Sequence, residues 1–576
     1  DANTTASYNT AVGQEALTAN TTGASNTGIG RNALSANTTA SNNTALGALA
    51  LTANTTGTQN VAVGAFALDA NTTADNNTAI GYQALTDNTT GTQNIAVGSL
   101  ALQNNTTGNY NVGVGYRPLD ANTTGDANTA MGYAALYTNS TGDNNSAFGY
   151  SALLYSTTAV NNCAFGYEAL KTNTTGNQNS AFGVQALDAG NHSNCNAFGY
   201  QALSANTTGA SNCAFGSHAL LLNTTGGNNA AFGHRALDAN VSGEKNTAVG
   251  SNALGANTES QNTAMGYYAL SNNTTGSTNT AIGVQAMHQT TTSSRGTAVG
   301  HFALDNTNSG DRNTAVGFQA LTSNTTGQYN TGIGDAALEA NSTGNYNTAV
   351  GQAAGAQITT GNENTAIGYG ALDSLTTGAE NTAVGSFALE TCGTGNYNTA
   401  VGRQALKAHT GTRSTALGFE SGESNTGNDN VFLGYQAGLN CSTGYQNVYI
   451  GSGAGKNATT GGQNVMIGHN ISTLTTSGGR CVYIGYNVQT SNSSGDSMII
   501  GSGNVTHSGN FQNHGFMGPG NGAGSYGNMY QGNNSSSWST QSDRRLKKNI
   551  VDNNIGLAEI LQLKVRNFEY RLQDEI

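Results

Sequence analysis

The chain has 576 residues, enough for several globular domains, yet only 9% are charged against about 25% in ordinary domains, and 79 are glycine, about twice the usual share. Two prolines exclude collagen, which needs glycine at every third position with abundant proline, and the low charge excludes the usual composition of disorder. The formal charge of −12 comes with basic residues scattered until the extreme C-terminus, so nothing resembles a nucleic-acid-binding stripe, and no stretch is long and apolar enough for membrane insertion.

The chain opens at Asp1 inside a repeat, so this N-terminus is not expected to be a gene start. From Asn9 the pentapeptide Asn-Thr-Ala-Val-Gly recurs along almost the whole chain. Its glycines fall at Gly13, Gly30, Gly47, Gly64 and onward at intervals of 17 residues, and can be followed to Gly501 with a degenerate member at Gly518. Roughly thirty copies at one short period are the signature of a stacked architecture. The expected fold class is all-β, an elongated parallel β-solenoid or β-roll of about thirty 17-residue coils occupying residues 1–506.

The copy Asn77 to Gly91 serves as the type repeat. Ile80, just before the anchor glycine, occupies a position that is always large and apolar, and is expected to be a core row with Thr78 on the same face. Ala79 and Gly81 would then face the other way and admit close approach of another backbone. A second apolar row at Leu17, Leu34, Leu51, Leu68 and Leu85 predicts a second short strand. The Asn-Thr-Thr-Gly that follows reads as a turn in which asparagine tolerates left-handed geometry and glycine supplies positive φ. So slim a coil with an Ala/Gly face is expected to be one strand of a homo-oligomer.

Five intervals of 16, as from Gly183 to Gly199, leave the motif intact on both sides. A residue lost inside a strand would turn every later side chain to the wrong face, so the loss must fall in a turn. Phe148, Phe165, Phe182, Phe198, Phe215 and Phe232 occupy the large apolar row in six successive coils and predict an aromatic ladder. Tyr82, Tyr133, Tyr150, Tyr167, Tyr200, Tyr267 and Tyr369, just after the glycine, predict an exposed stripe, open to cross-strand packing or sugar binding.

Cys163 and Cys213 are three coils apart, roughly 14 Å at 4.8 Å per coil, too far for a disulfide. The six cysteines are expected to be mostly thiols replacing threonine, which suits assembly in a reducing cytosol. No Cys-x-x-Cys pair suggests zinc. The histidines are isolated, with His507 and His514 able to hold a metal only by meeting symmetry mates, and no cofactor is expected. Asp69, Asp120 and Glu339 lie in or near turns without the paired arrangement glycoside hydrolysis needs. The repeated Asn-x-Thr sequons read as turn chemistry rather than glycosylation sites.

The Asn-Thr-Ala-Val-Gly repeat resembles the head repeats of trimeric autotransporter adhesins and related phage tail-fibre repeats. That resemblance implies a left-handed β-roll wound from three chains, though its repeats are commonly shorter than 17 residues. After a Gly-, Asn- and Ser-rich neck at 507–541, composition changes abruptly. Ser542-Asp543-Arg544-Arg545-Leu546-Lys547-Lys548-Asn549-Ile550 is followed by apolar residues at helical intervals from Ile555 to Tyr570, predicting a short α-helical segment.

Ser542, Asp543, Arg545, Lys547 and Ile550, with Ile560 to Lys564 and Phe568-Glu569-Tyr570, resemble the start of the self-cleaving intramolecular chaperone domain of phage tail fibres and spikes. The resemblance implies that 542–576 begins a trimerising domain, in which Ser542 is the nucleophile, Lys547 its base, and the cut falls between Gln541 and Ser542. A lysine can serve in this way if burial lowers its pKa. That domain usually runs on for many more residues, and read alone Ser542 to Ile550 is also a helix N-cap with a solvated basic face.

The expected protein is a structural and adhesive homotrimeric fibre of a virus, foremost a bacteriophage tail fibre assembled in the host cytoplasm. Its partners would be tail or baseplate proteins and a host-surface glycan or protein receptor. A bacterial cell-surface adhesin is the alternative, followed by an ice-binding or a polysaccharide-degrading solenoid.

Overall fold

The computed structural model describes residues 2, 4–473, 477–490, 496–507, 514–519, 529–531 and 539–540. The chain falls into two compact units, Asp1–Asn430 and Val431–Ile576. Both carry parallel β-solenoid coils, with about 28 turns of about 17 residues between them, and there is no helix among the described residues. The helical segment expected within Ile555 to Tyr570 lies outside the described residues.

The first unit carries one three-residue strand per coil, from β1 (Thr10–Val12) to β25 (Thr415–Leu417), numbered in chain order. Each pairs in parallel with the next, motif on motif. Thr78 of β5 (Thr78–Ile80) lies beside Ile95, Ala79 beside Ala96 and Ile80 beside Val97. The shortened coils keep this register, with Phe182 beside Phe198 and Val249 beside Met265. The missing residue is lost from the turn. Asn77 reaches the carbonyl of Gly91, 14 residues on, whereas Asn179 reaches that of His192 and Asn246 that of Glu259, each 13 residues on.

The alternation expected of the strand is present, but its two faces are reversed. Ala79 is fully buried, while Ile80 is 39% and Val12 58% exposed. The large apolar row therefore lies outside and the alanine row inside. The reason is the width of the coil. Besides Ala79 its interior holds Ala84 and Leu85, both fully buried, and two side chains that composition alone did not place there, Asn77 and Asn88. A residue as small as alanine, or glycine as at Gly28, Gly113 and Gly332, leaves room for these.

The asparagines form two internal ladders. In one, the Asn88 amide donates to Asn71 Oδ1 (3.1 Å) and to the Gly91 carbonyl (2.9 Å). In the other, Asn77 Oδ1 accepts the backbone N–H of Asn94 (2.9 Å) while its amide donates to the Gly91 carbonyl (2.8 Å). These bonds satisfy backbone groups that the turns would otherwise bury unpaired.

No second strand forms at Leu85. Gln83 and Leu85 both have φ of 53°, and the backbone points alternately to either neighbouring coil: Gln83 N–H donates to the Ala65 carbonyl and Leu85 N–H to that of Ala101, each at 3.0 Å. A left-handed leucine costs roughly 1–2 kcal/mol, offset by about 1.5–3 kcal/mol from its complete burial. The Asn-Thr-Thr-Gly turn also differs from expectation. Asn88 and Gly91 are not left-handed; Gln93 is, at 60°. Glycine is required at position 91 for space, because a Cβ there would sit 2.3 Å from the Gly108 carbonyl oxygen and 2.5 Å from Asn88 Oδ1.

In the second unit the coils grow broader strands, through β28 (Val465–His469), β30 (Val482–Thr490) and β31 (Ser497–His507), all parallel. Within the stretch 507–541, β32 (His514–Pro519) pairs antiparallel with β33 (Met529–Gln531), which pairs antiparallel with β34 (Ser539–Thr540). Its core is rebuilt by exchange: Phe432 and Tyr449, fully buried, take the alanine place, and Gly438 and Gly455 take the leucine place.

Candidate functional site: the outward strand face and its aromatic ladders

Turning the strand inside out puts two rows on the surface of the first unit. One runs through Thr10, Thr27 and Thr44, the other through Val12, Ile29 and Leu46. Neither row holds a charged residue from Thr10 to Leu417. The threonine row is unbroken from Thr247 to Thr415.

In the coils of Phe148 to Phe232 the six phenylalanines stack on this face with ring centroids 4.3–5.1 Å apart and planes within 8° of parallel. The expected ladder exists, but outside the coil. Its companions two residues earlier are Ser146, Cys163, Ser180, Asn196, Cys213 and Ala230, whereas every other coil of this unit has Thr, Val or Ile there. A bulky ring is always beside a small neighbour without a β-branch. This one-to-one exchange was readable in the sequence and is the signal that a core reading overlooked.

Tyr116, Tyr133, Tyr150 and Tyr167 form the second ladder, with centroids 4.8–5.5 Å apart and each ring about half exposed. The tyrosine stripe is therefore exposed, as expected; it is packed ring on ring from Tyr116 to Tyr167, whereas Tyr82, Tyr200, Tyr267 and Tyr369 make edge contacts with other rings. Inner faces so close leave no room for an inserted sugar ring, so the ladder presents edges.

The cysteines are all thiols. Cys163 and Cys213 stand in the threonine row as expected, but Cys195 and Cys481 stand in an asparagine ladder. Cys195 N–H donates to Asn179 Oδ1 and Cys481 N–H to Asn464 Oδ1, each at 3.0 Å. Burial pushes the Cys195 thiol up to about 11, which removes thiolate character. Two histidines are internal. His192 is buried with no partner for Nε2, and burial lowers its pKa to about 4. His409 is buried between Asn398 Oδ1 and the Asn425 carbonyl, both 3.0 Å away, and is likewise lowered to about 4 by burial.

Burial also raises the carboxyls of Asp69, Asp120 and Asp188 above the usual range, with Arg117 opposing the shift at Asp120 from 3.1 Å. Several coils separate these residues in the repeat. Asp126 and Asp143 sit on consecutive coils but serve the backbone, accepting the N–H groups of Asn109 (2.6 Å) and Asp126 (2.7 Å). Among the described residues no group of three or more His, Cys, Asp or Glu could hold a metal ion, and no helix is long and apolar enough to cross a membrane.

Gln541, Ser542 and Lys547 lie outside the described residues, as do the side chains of His507 and His514. No protein-family model matches the sequence, and no curated protein matches it.

Proposed function

We propose that the chain is the shaft of a homotrimeric structural and adhesive fibre that holds a binding surface away from its base. The observation that carries this reading is the outward strand face, a long apolar surface without charge that a single chain leaves open to water. The closely matched coils, each stacked in register on the last, support a load-bearing spacer. The virus tail fibre is the preferred setting and the bacterial surface adhesin the alternative. Tail or baseplate proteins and a host-surface glycan or protein are the partners in the first case.

The segment 542–576 would assist trimerisation, with Ser542 and Lys547 cutting after Gln541. Sedimentation equilibrium of the purified chain tests the assembly, with three chains per particle expected and a stable monomer contradicting it. Intact mass spectrometry tests the cut: a chain ending at Gln541 supports it, and the full-length mass after prolonged incubation of the trimer contradicts it.

A second reading, an ice-facing surface, is favoured by the unbroken outward row from Thr247 to Thr415 with aliphatic residues beside it. Thermal hysteresis by the monomer would support it, and its absence would discard it.

A further inference from the structure

We infer that the outward strand face of the first unit is a self-association surface, on which sister chains lie parallel and in register, coil against equivalent coil. The inference rests on the shaft reading above and names the surface that the reading requires. It replaces the expected Ala/Gly face, whose alanine row is enclosed within each chain's own coil, as the place where chains meet.

Three observations support it. The first is extent. Ten of the twenty-five residues in the large apolar row are 37–58% exposed, Ile282 least and Val12 most, and the other fifteen are partly exposed. With side chains of on the order of 150 Å², the ten leave roughly 650 Å² open and the row from β1 to β25 on the order of 1,000 Å², against about 800 Å² per partner in a standard interface. Monomers rarely expose an apolar patch beyond about 300–600 Å².

The second is the absence of charge from both rows along the whole unit, as at the desolvated centre of an interface. The third is the exchange of volume between the rows. Wherever the second row has Phe, the first has Ser, Cys, Asn or Ala; wherever it has Val, Ile, Leu or Met, the first has Thr, Val or Ile. Solvent places no such demand on a surface. A neighbour at fixed distance does, because packed cores conserve volume.

The partner is a second copy because the surface is regular over twenty-five coils, and another stack of the same coil matches that spacing throughout. A parallel, in-register arrangement sets every phenylalanine coil on a phenylalanine coil and every other coil on its counterpart, whereas the antiparallel pairing that also matches this block leaves β23 to β25 without one. It also brings Cys163 opposite its own counterparts and Cys213 opposite its own.

The test uses the full chain. Wild type, the face variant Ile333→Asp/Ile367→Asp and the control Thr326→Asp are compared by sedimentation velocity and circular dichroism. Both isoleucines are 39% exposed and Thr326 is an exposed turn residue. The face variant is expected to associate at least 100-fold more weakly with an unchanged spectrum, and the control to behave as wild type. An associating wild type with an equally associating face variant overturns the surface but leaves the shaft reading standing. A monomeric wild type overturns both, and thermal hysteresis from that monomer gives the face to ice.

Register is read by a short homobifunctional maleimide. Parallel chains cross-link in both Cys163→Ser and Cys213→Ser, because each variant keeps one self-facing thiol. Cross-linking of wild type that is lost in both single variants shows Cys163 against Cys213 and overturns the parallel arrangement.

Discussion

Replacing Asn77 by alanine tests whether the internal asparagines hold the coils together. Asn77 Oδ1 is the acceptor for the buried backbone N–H of Asn94 at 2.9 Å, and its amide donates to the Gly91 carbonyl at 2.8 Å. Gly91 keeps a second donor, the Asn88 amide at 2.9 Å, so its loss is partial, about 0.5–1.5 kcal/mol. The Asn94 N–H has no such reserve, and an orphaned buried donor costs about 1–3 kcal/mol. Together these predict a local destabilisation of about 2–4 kcal/mol, and hydrogen exchange at Asn94 faster by roughly 30- to 1,000-fold where opening precedes exchange. Asn77→Ser should recover part of the protection, because Ser414 fills this row naturally and its Oγ accepts the N–H of Asn430 at 3.2 Å. The readout is exchange mass spectrometry on peptides ending either side of Asn94. Unchanged protection in Asn77→Ala would refute the ladder as a source of cohesion.

Three further outcomes follow from the same packing. Gly81→Ala should destabilise by about 3 kcal/mol or more, because φ is 146° and a Cβ would meet the Gly98 carbonyl oxygen at 2.2 Å; a melting temperature equal to wild type would be inconsistent with that geometry. In the second unit, Gly438→Leu drives a Cβ to within 2.4 Å of the Phe432 ring, so it should be strongly destabilising alone and largely rescued by Phe432→Ala, with a coupling of about 2–3 kcal/mol in a double-mutant cycle; additive effects would deny the exchange. His192 has its folded pKa lowered by burial from 6.5 to about 4. The unfolded chain therefore binds the proton first, and stability complete above about pH 6.5 should fall by about 3 kcal/mol as pH drops to about 4. His409, lowered to the same value, adds a comparable share, so His192→Ala, which installs the residue found at the corresponding Ala40, Ala74 and Ala159, should remove about half of the combined slope, and an unaltered slope would remove His192 as a cause.

The period, the parallel stacking and the placement of the shortened coils in turns were all legible, because each depends on spacing alone. Which side of the strand faces inward was not. Judged by size, Ile80 looked interior and Ala79 looked like a contact surface, and the inference failed because the coil's interior is already filled by Leu85 and two asparagines. Those asparagines were invisible as core, since a polar side chain is ordinarily placed at the surface. Only the neighbouring coil, supplying an acceptor to every amide, makes their burial favourable. The left-handed residues were misplaced for a related reason. Leu85 takes φ of 53° against its own preference, driven by burial and by the backbone hydrogen bond to Ala101. The phenylalanine ladder was legible as a ladder, whereas its exposure followed from the reversed face; the tyrosine stripe was legible as exposed.

Electron cryomicroscopy of the purified chain addresses the central claim most directly. The expected map has layers about 4.8 Å apart, with the Phe148 to Phe232 column lying outside its own coil and against the equivalent column of a sister chain. A map with those rings enclosed in their own coil, or with the Ala79 row turned toward a neighbouring chain, would contradict it.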